Sequence, residues 1–185
     1  VTGATNSNGT GIIFTISLSG LPNEAAYGPF VYHVHNMPVS ADGNCTTTLG
    51  HLDPTDRGEY HPCEATQPET CQVGDLAGKH GNITTSGTFS TSYLELYLST
   101  VPGSGYFFGD KSVVIHSSNA TRLTCANFTL VSSAVSNGSG SASASGSGAA
   151  SPTSSTAPFE GVAAKTVGGS AVAFVAAAVV GIFFL

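Results

Sequence analysis

The sequence predicts an all-β, antiparallel body. Three observations carry this: apolar residues recur at every second position in several short stretches, turn residues bound those stretches, and sustained helical spacing is absent. In Gly11–Gly20 (GIIFTISLSG), Ile12, Phe14, Ile16 and Leu18 alternate, with one extra apolar residue at Ile13, and Leu21-Pro22-Asn23 follows as a turn. Phe30–His35 (FVYHVH) repeats the period of two, and a shorter strand is read through Asn82–Phe89. Tyr93–Leu98 (YLELYL), Ser112–His116 (SVVIH) and Leu123–Val131 (LTCANFTLV) complete the set. Tyr93 and Tyr97 alternate with core positions and are read as packing. From Met37 to Gly81 the chain is irregular, a stretch of 45 residues that needs restraint, and function usually sits on such loops.

Of the 185 residues, only Val1–Val131 has the composition of a folded domain. Residues 132–161 read as a stalk, because 21 of the 27 residues from Ser132 to Pro158 are Ser, Ala or Gly. Residues 162–185 read as a C-terminal hydrophobic signal. Ala171–Leu185 is an apolar run of 15 residues that reaches the C-terminus with no basic flank, short for a span of about 20 residues but suited to a glycosylphosphatidylinositol (GPI) signal. Ser154, Ser155, Gly161 and Ala163 stand near the spacing of the cleavage point. The mature protein is then expected outside the cell, anchored to the plasma membrane, with transfer to the cell wall as a further step. No signal peptide precedes Val1, so trimming at the N-terminus is expected.

The body carries four basic residues (Arg57, Lys79, Lys111, Arg122) against ten acidic ones, within a chain of formal net charge −6. That excludes a nucleic-acid footprint, which needs clustered Lys and Arg. Four cysteines, Cys45, Cys63, Cys71 and Cys125, form no C-x-x-C pair and fit two disulfides in an oxidising compartment. Glycosylation sequons begin at Asn8, Asn44, Asn82, Asn119, Asn127 and Asn137.

All six histidines lie in the body. In His33-Val34-His35 strand alternation turns both rings to one side, about 6.5 to 7 Å apart, a spacing that suits two ligands of one ion. The same pair is also compatible with polar surface or satisfied histidines. His116 ends another strand and His51 enters from the long loop, so a four-nitrogen site can be assembled; imidazole-only ligation suits copper.

Five segments, in order, carry a resemblance: GPFVYHVH (28–35), CTTTLGHLDP (45–54), CQVGDLAG (71–78), GDKSVVIH (109–116) and NATRLTC (119–125). They resemble signature segments of the copper/zinc superoxide dismutases over about residues 10–131. The resemblance implies an immunoglobulin-like Greek-key β-barrel or sandwich. It implies copper ligation by His33, His35, His51 and His116, an arginine above the copper at Arg122, and a Cys45–Cys125 disulfide that leaves Cys63 and Cys71 to pair. The implied activity is dismutation of superoxide to O₂ and H₂O₂ by alternating Cu(II) and Cu(I), with Arg122 guiding the anion and His51 taking part in the cycle.

The chain departs from the zinc-containing pattern. Gln72 stands three residues before Asp75, where an amide makes a poor zinc ligand, and only five residues separate His116 from Arg122. Both departures, with the added cysteine pair, resemble the fungal extracellular copper-only members. One copper per chain, no zinc and a monomer are therefore expected. Asp75 is assigned to support His51 or a neighbouring loop group by hydrogen bond, with Glu59, Glu64 and Glu69 as weaker candidates. His61 reads as a solvated loop residue, His80 as structural, and Lys79 as either an exposed lysine or a positive field at the site mouth. The alternative function is a catalytically weak copper-binding surface module with the same fold; a purely adhesive domain is the third class. By the resemblance, Gly11–Gly20 matches a third strand. Val1–Thr10 is read as too short and polar to supply two earlier ones, so a late start or cover by another segment is expected.

Overall fold

The computed structural model describes residues 1–131 and 173–177. The proposed stalk, Asn137, the four cleavage candidates and most of the C-terminal signal lie outside the described residues. Two antiparallel sheets face each other across one core, an open sandwich in which the barrel does not close. The strands are β1 (Thr2–Thr5), β2 (Ile12–Leu21), β3 (Val31–His35), β4 (Gly87–Glu95), β5 (Ser112–His116), β6 (Arg122–Asn127), β7 (Thr129–Val131) and β8 (Ala173–Val175). One sheet runs β4-β2-β1-β8-β7 and the other β3-β5-β6. Two one-turn helices, α1 (Glu24–Tyr27) and α2 (Leu76–His80), are too short to leave a helical period in the sequence.

Ile12, Phe14 and Ile16 of β2 point into the core as their alternation demands. Tyr32, Val34, Val113 and Ile115 meet them from the smaller sheet. Four phenylalanines fill the far end of the core. Phe108 packs edge-on against Phe128 at 4.9 Å and Phe174 at 5.1 Å, and Phe14 lies 5.1 Å away, contacts worth about 0.5–1.5 kcal/mol each beyond area burial.

Four readings are corrected by this arrangement. Asn82–Phe89 and Tyr93–Leu98 are not two strands: β4 spans Gly87–Glu95, and Ile83 makes only a single bridge to Phe30. On β4 the inner face carries Tyr93 and Glu95, while Leu94 and, just beyond the strand, Leu96 are exposed, because Glu95 is paired inside with Lys79 and contacted by His80. Leu123–Val131 divides at buried Phe128 into β6 and β7, which belong to different sheets. Finally, Thr2–Thr5 does form a strand, paired with Ile12–Thr15 of β2.

The edge that β1 would leave open is covered by β8, which pairs with β1 on one side and β7 on the other. Its Phe174 is buried, and the Val1 amino group donates to the Ala176 carbonyl at 2.7 Å. Among the described residues no helix is long and apolar enough to cross a membrane.

Candidate metal centre

Register places three histidines together. In the β3–β5 ladder Val31 faces His116, His33 faces Val114 and His35 faces Ser112, so His33, His35 and His116 share one face. Tyr32, Val34, Val113 and Ile115 take the opposite face and enter the core, so the histidines sit on the side away from it. The long loop covers them. Its first part is stitched to the free edge of β3: Asn36 N donates to Gly50 O (2.9 Å), Leu52 N to Val34 O (2.8 Å) and Val34 N to Gly74 O (2.9 Å). Residue 74 must be glycine for this, since a Cβ there would stand 2.3 Å from Val34 O. The ladder carries His51 to a bridge with His35.

The disulfides are Cys45–Cys125 and Cys63–Cys71. The first ties the 3₁₀ turn Cys45–Thr48 to β6, and Arg122 reinforces the same joint. Its Nη1 donates to Cys45 O and to Thr48 Oγ1 (3.0 Å), and its Nη2 to Leu49 O (2.6 Å).

Each of the four rings has one nitrogen engaged by a group outside the cluster. His35 Nδ1 donates to Leu49 O (2.8 Å), His116 Nδ1 to Ala120 O (3.1 Å) and His51 Nδ1 to Gln72 Oε1 (2.5 Å). His33 Nε2 lies 3.5 Å from Asp75 Oδ1. The remaining nitrogens converge: one ligand atom from each of the four histidines lies within 4.8 Å of all the others. His35 Nε2 and His116 Nε2 are 3.1 Å apart, and His33 Nδ1 is buried with no hydrogen-bond partner. Carbonyl and amide oxygens accept, so they fix the proton on the outer nitrogen of His35, His51 and His116 and leave a lone pair on the inner one. Three inward lone pairs, with the unpartnered His33 Nδ1 beside them, have no hydrogen to share and repel each other unless a cation lies between them. The donor set fits a copper-type ion, with the supporting acceptors that metal-bound imidazoles use.

Asp75 does not reach His51. Its Oδ1 caps α2 by accepting from Gly78 N (2.7 Å) and stands beside His33, and Gln72 occupies the place behind His51. Gln72 is the partner that sequence reasoning missed: taken alone, its amide reads only as a poor zinc ligand. Its amide bridges on to Asp53 Oδ2 (3.2 Å). Ala120, at φ 65°, turns its carbonyl to His116 and was not readable from composition. A pocket of about 250 Å³ opens over the cluster, lined among others by His51, His116, Arg122 and Glu59. Glu64 and Glu69 are absent from that lining. His61 is exposed and outside the cluster, and His80 stacks on Tyr93 at 3.8 Å. Lys79 is buried, which corrects both readings of it.

Without metal His33, His35 and His116 are held neutral. Burial first, then the neighbouring rings, pushes His33 well below 6.5. Burial takes His35 down to about 3 and also lowers His116, in both cases against the pull of a carbonyl acceptor. The unfolded chain takes up protons on these rings near pH 6.5 and the fold does not. Stability of the metal-free protein is therefore full above about pH 6.5 and falls as pH drops toward 3. Thermal melts of metal-free protein check this; a melting temperature that is flat or rises on acidification through that window contradicts it.

Fold and site together define a β-sandwich with a cluster of four histidines able to hold a metal ion. The cell surface Cu-only superoxide dismutase of Arthroderma benhamiae is 43% identical over 153 residues, covering 68% of this chain and 40% of that protein. Cell surface Cu-only superoxide dismutase 5 of Candida albicans is 42% identical over 131 residues, 71% of this chain and 54% of that one. The chain thus spans about half the length of the curated relatives it matches. The solved Cu(II) structure of the Candida albicans superoxide dismutase 5 superposes with a TM-score of 0.62 at 38% identity, covering 75% of this chain and 86% of that chain. No family model matches. The chain belongs to the copper-only superoxide dismutase family.

Proposed function

We propose that the protein binds one copper ion through His33, His35, His51 and His116 and dismutates superoxide to O₂ and H₂O₂ outside the cell. The convergence of four imidazole nitrogens, each ring braced from behind, carries this reading. Copper in such a site supplies one-electron chemistry in both directions, which is what a dismutation needs. The chain supplies the rest. His51 donates its Nδ1–H to Gln72 Oε1, and since an amide is no base that proton stays on Nδ1 and only Nε2 is free to exchange one. With Nδ1 spent, His51 has a single nitrogen for a metal, which supports a one-ion site. The test is a superoxide assay on copper-loaded, disulfide-intact protein: disproportionation with one copper per chain is expected, and stoichiometric copper without turnover would refute the enzyme.

Arg122 is the cation at the pocket, set in a chain of net charge −6. Its permanent charge favours the small anion, and surface fields of this kind weaken with salt. Arg122→Ala is expected to slow turnover more at low than at high ionic strength while copper stays bound; equal rates for variant and parent at low salt would remove the guiding role. One observation favours a second reading, a copper-binding surface module. Three of the five guanidinium N–H groups are already given to Cys45, Thr48 and Leu49, so part of the arginine's work is to hold the loop. The same superoxide assay separates the two.

The names of the relatives support a cell-surface location, and GPI attachment near Ser154, Ser155, Gly161 or Ala163 is the form we infer; release by a phosphatidylinositol-specific phospholipase tests it. Anchor transfer at any of these positions removes β8, so anchored and full-length forms differ at the β1–β7 edge. Of the proposed glycan sites, Asn8, Asn44, Asn82 and Asn119 are exposed. Asn127 is exposed too, but its side chain is engaged from both ends by the backbone of Val39.

A further inference from the structure

Behind the metal centre lies a buried ionic cluster that the proposed chemistry does not use. Lys79 of α2 and Glu95 of β4 have side chains 1% and 0% exposed, with Nζ 2.9 Å from Oε2. His80 Nε2 lies 2.8 Å from the same oxygen, and Glu95 Oε1 accepts from Tyr97 N (2.7 Å). Burial alone would raise the Glu95 carboxyl, but His80 and Lys79 outweigh it and hold it ionised below its usual range. A charged pair this deep in a sandwich is costly to bury, and replacing one with apolar residues is often neutral or stabilising. Stability alone is therefore a weak account of it.

Its remaining hydrogen bond gives the better account. Lys79 Nζ donates to Val73 O at 2.7 Å. Val73 is flanked by Gln72, which holds His51, and by Gly74, which completes the ladder to β3; Asp75, beside His33, follows. Two of the four rings are thus braced by one four-residue segment, and the ammonium pins that segment to β4 in the opposite sheet. Gly78, three residues after Asp75, lets the cap close: a Cβ there would stand 2.2 Å from Asp75 Oδ2. The other two rings lean on Leu49 and Ala120, which this tether does not touch.

We propose that Lys79 is a positioning residue of the metal centre: from its buried pair with Glu95 it fixes the Gln72–Asp75 segment and through it the rings of His33 and His51. This rests on the copper-site reading for its function but not for its test. In metal-free protein, the imidazole nitrogen resonances of His33 and His51 are expected to shift or broaden in Lys79→Met, while those of His35 and His116 hold. In copper-loaded protein the variant is expected to bind copper about 10- to 100-fold more weakly, the range for loss of a supporting partner, with an altered Cu(II) spectrum. Four unmoved rings, or four equally moved, would overturn the proposal even if the parent binds copper as described. A parent that takes up no copper would defeat the site reading and leave the ring test standing. Should Lys79→Met not fold, Lys79→Met with Glu95→Leu removes both charges and is read the same way. Failure of both to fold would make the pair a requirement of the fold and overturn the positioning role.

Discussion

His35→Ala is expected to abolish stoichiometric copper binding and bring superoxide turnover to background. His35 meets the other three rings: its Nε2 is 3.1 Å from that of His116, its centroid is 5.1 Å from that of His51, and it shares the strand with His33. Its outer nitrogen is also the residue's link to the covering loop, through Leu49 O and Thr48 Oγ1. Removing it takes away a ligand and a brace together, so copper affinity is expected to fall by more than the roughly 10- to 100-fold that a supporting partner alone is worth. Competition against a chelator of known affinity measures the loss. Parent-like affinity in a folded His35→Ala protein would mean that the ion sits elsewhere.

The second large effect is on stability. Cys45→Ser, or reduction of the Cys45–Cys125 bond, opens a loop with a sequence separation of 80. On the chain-entropy estimate a loop of that size is worth about 4.5 kcal/mol, at the upper end of the roughly 2–5 kcal/mol that loss of a native disulfide costs. The melting temperature is expected to fall by about 10–20 °C. Copper retention should fall with it, because the bond anchors the turn whose carbonyls hold Arg122 and His35. Cys63→Ala with Cys71→Ala, across a separation of only 8, is expected to cost less. Equal losses for the two pairs, or a Cys45→Ser protein that melts with the parent, would contradict this ranking.

Much of the sheet framework was open to reading. β2 follows from period two because one face is buried and the other exposed; β3 and β5 are buried on both faces, and their alternation is of core apolar residues with the histidines under the loop, which a one-residue slip would invert. What escaped did so for stated reasons. β1 is Thr-Gly-Ala-Thr, which carries no alternation. β8 lies in an apolar run whose composition reads equally well as a removable tail. That β4 turns Leu94 outward was not legible because the cation that makes Glu95 tolerable inside is 16 positions earlier in the chain, a pairing that no local window contains.

The site divides in the same way. The H-x-H pair and His116 are strand residues, and alternation places them; His51 is a loop residue that can reach the site, and only the match of CTTTLGHLDP makes it a ligand, since nothing in a loop's composition says which way a ring points. The roles of Gln72 and Lys79 are not legible from either residue taken alone. An amide is a poor ligand, yet it is a good acceptor for a ligand's outer N–H, and a lysine beside a glycine looks exposed until the buried carboxylate that receives it is known.

The most direct test of the central claim is metal quantification on protein offered copper and zinc together, then freed of loosely held ions. One copper and no zinc per chain is the result expected from four inward imidazole nitrogens with Gln72 closing the outer side of His51. A stoichiometric second metal, or a chain that emerges without copper, would contradict it.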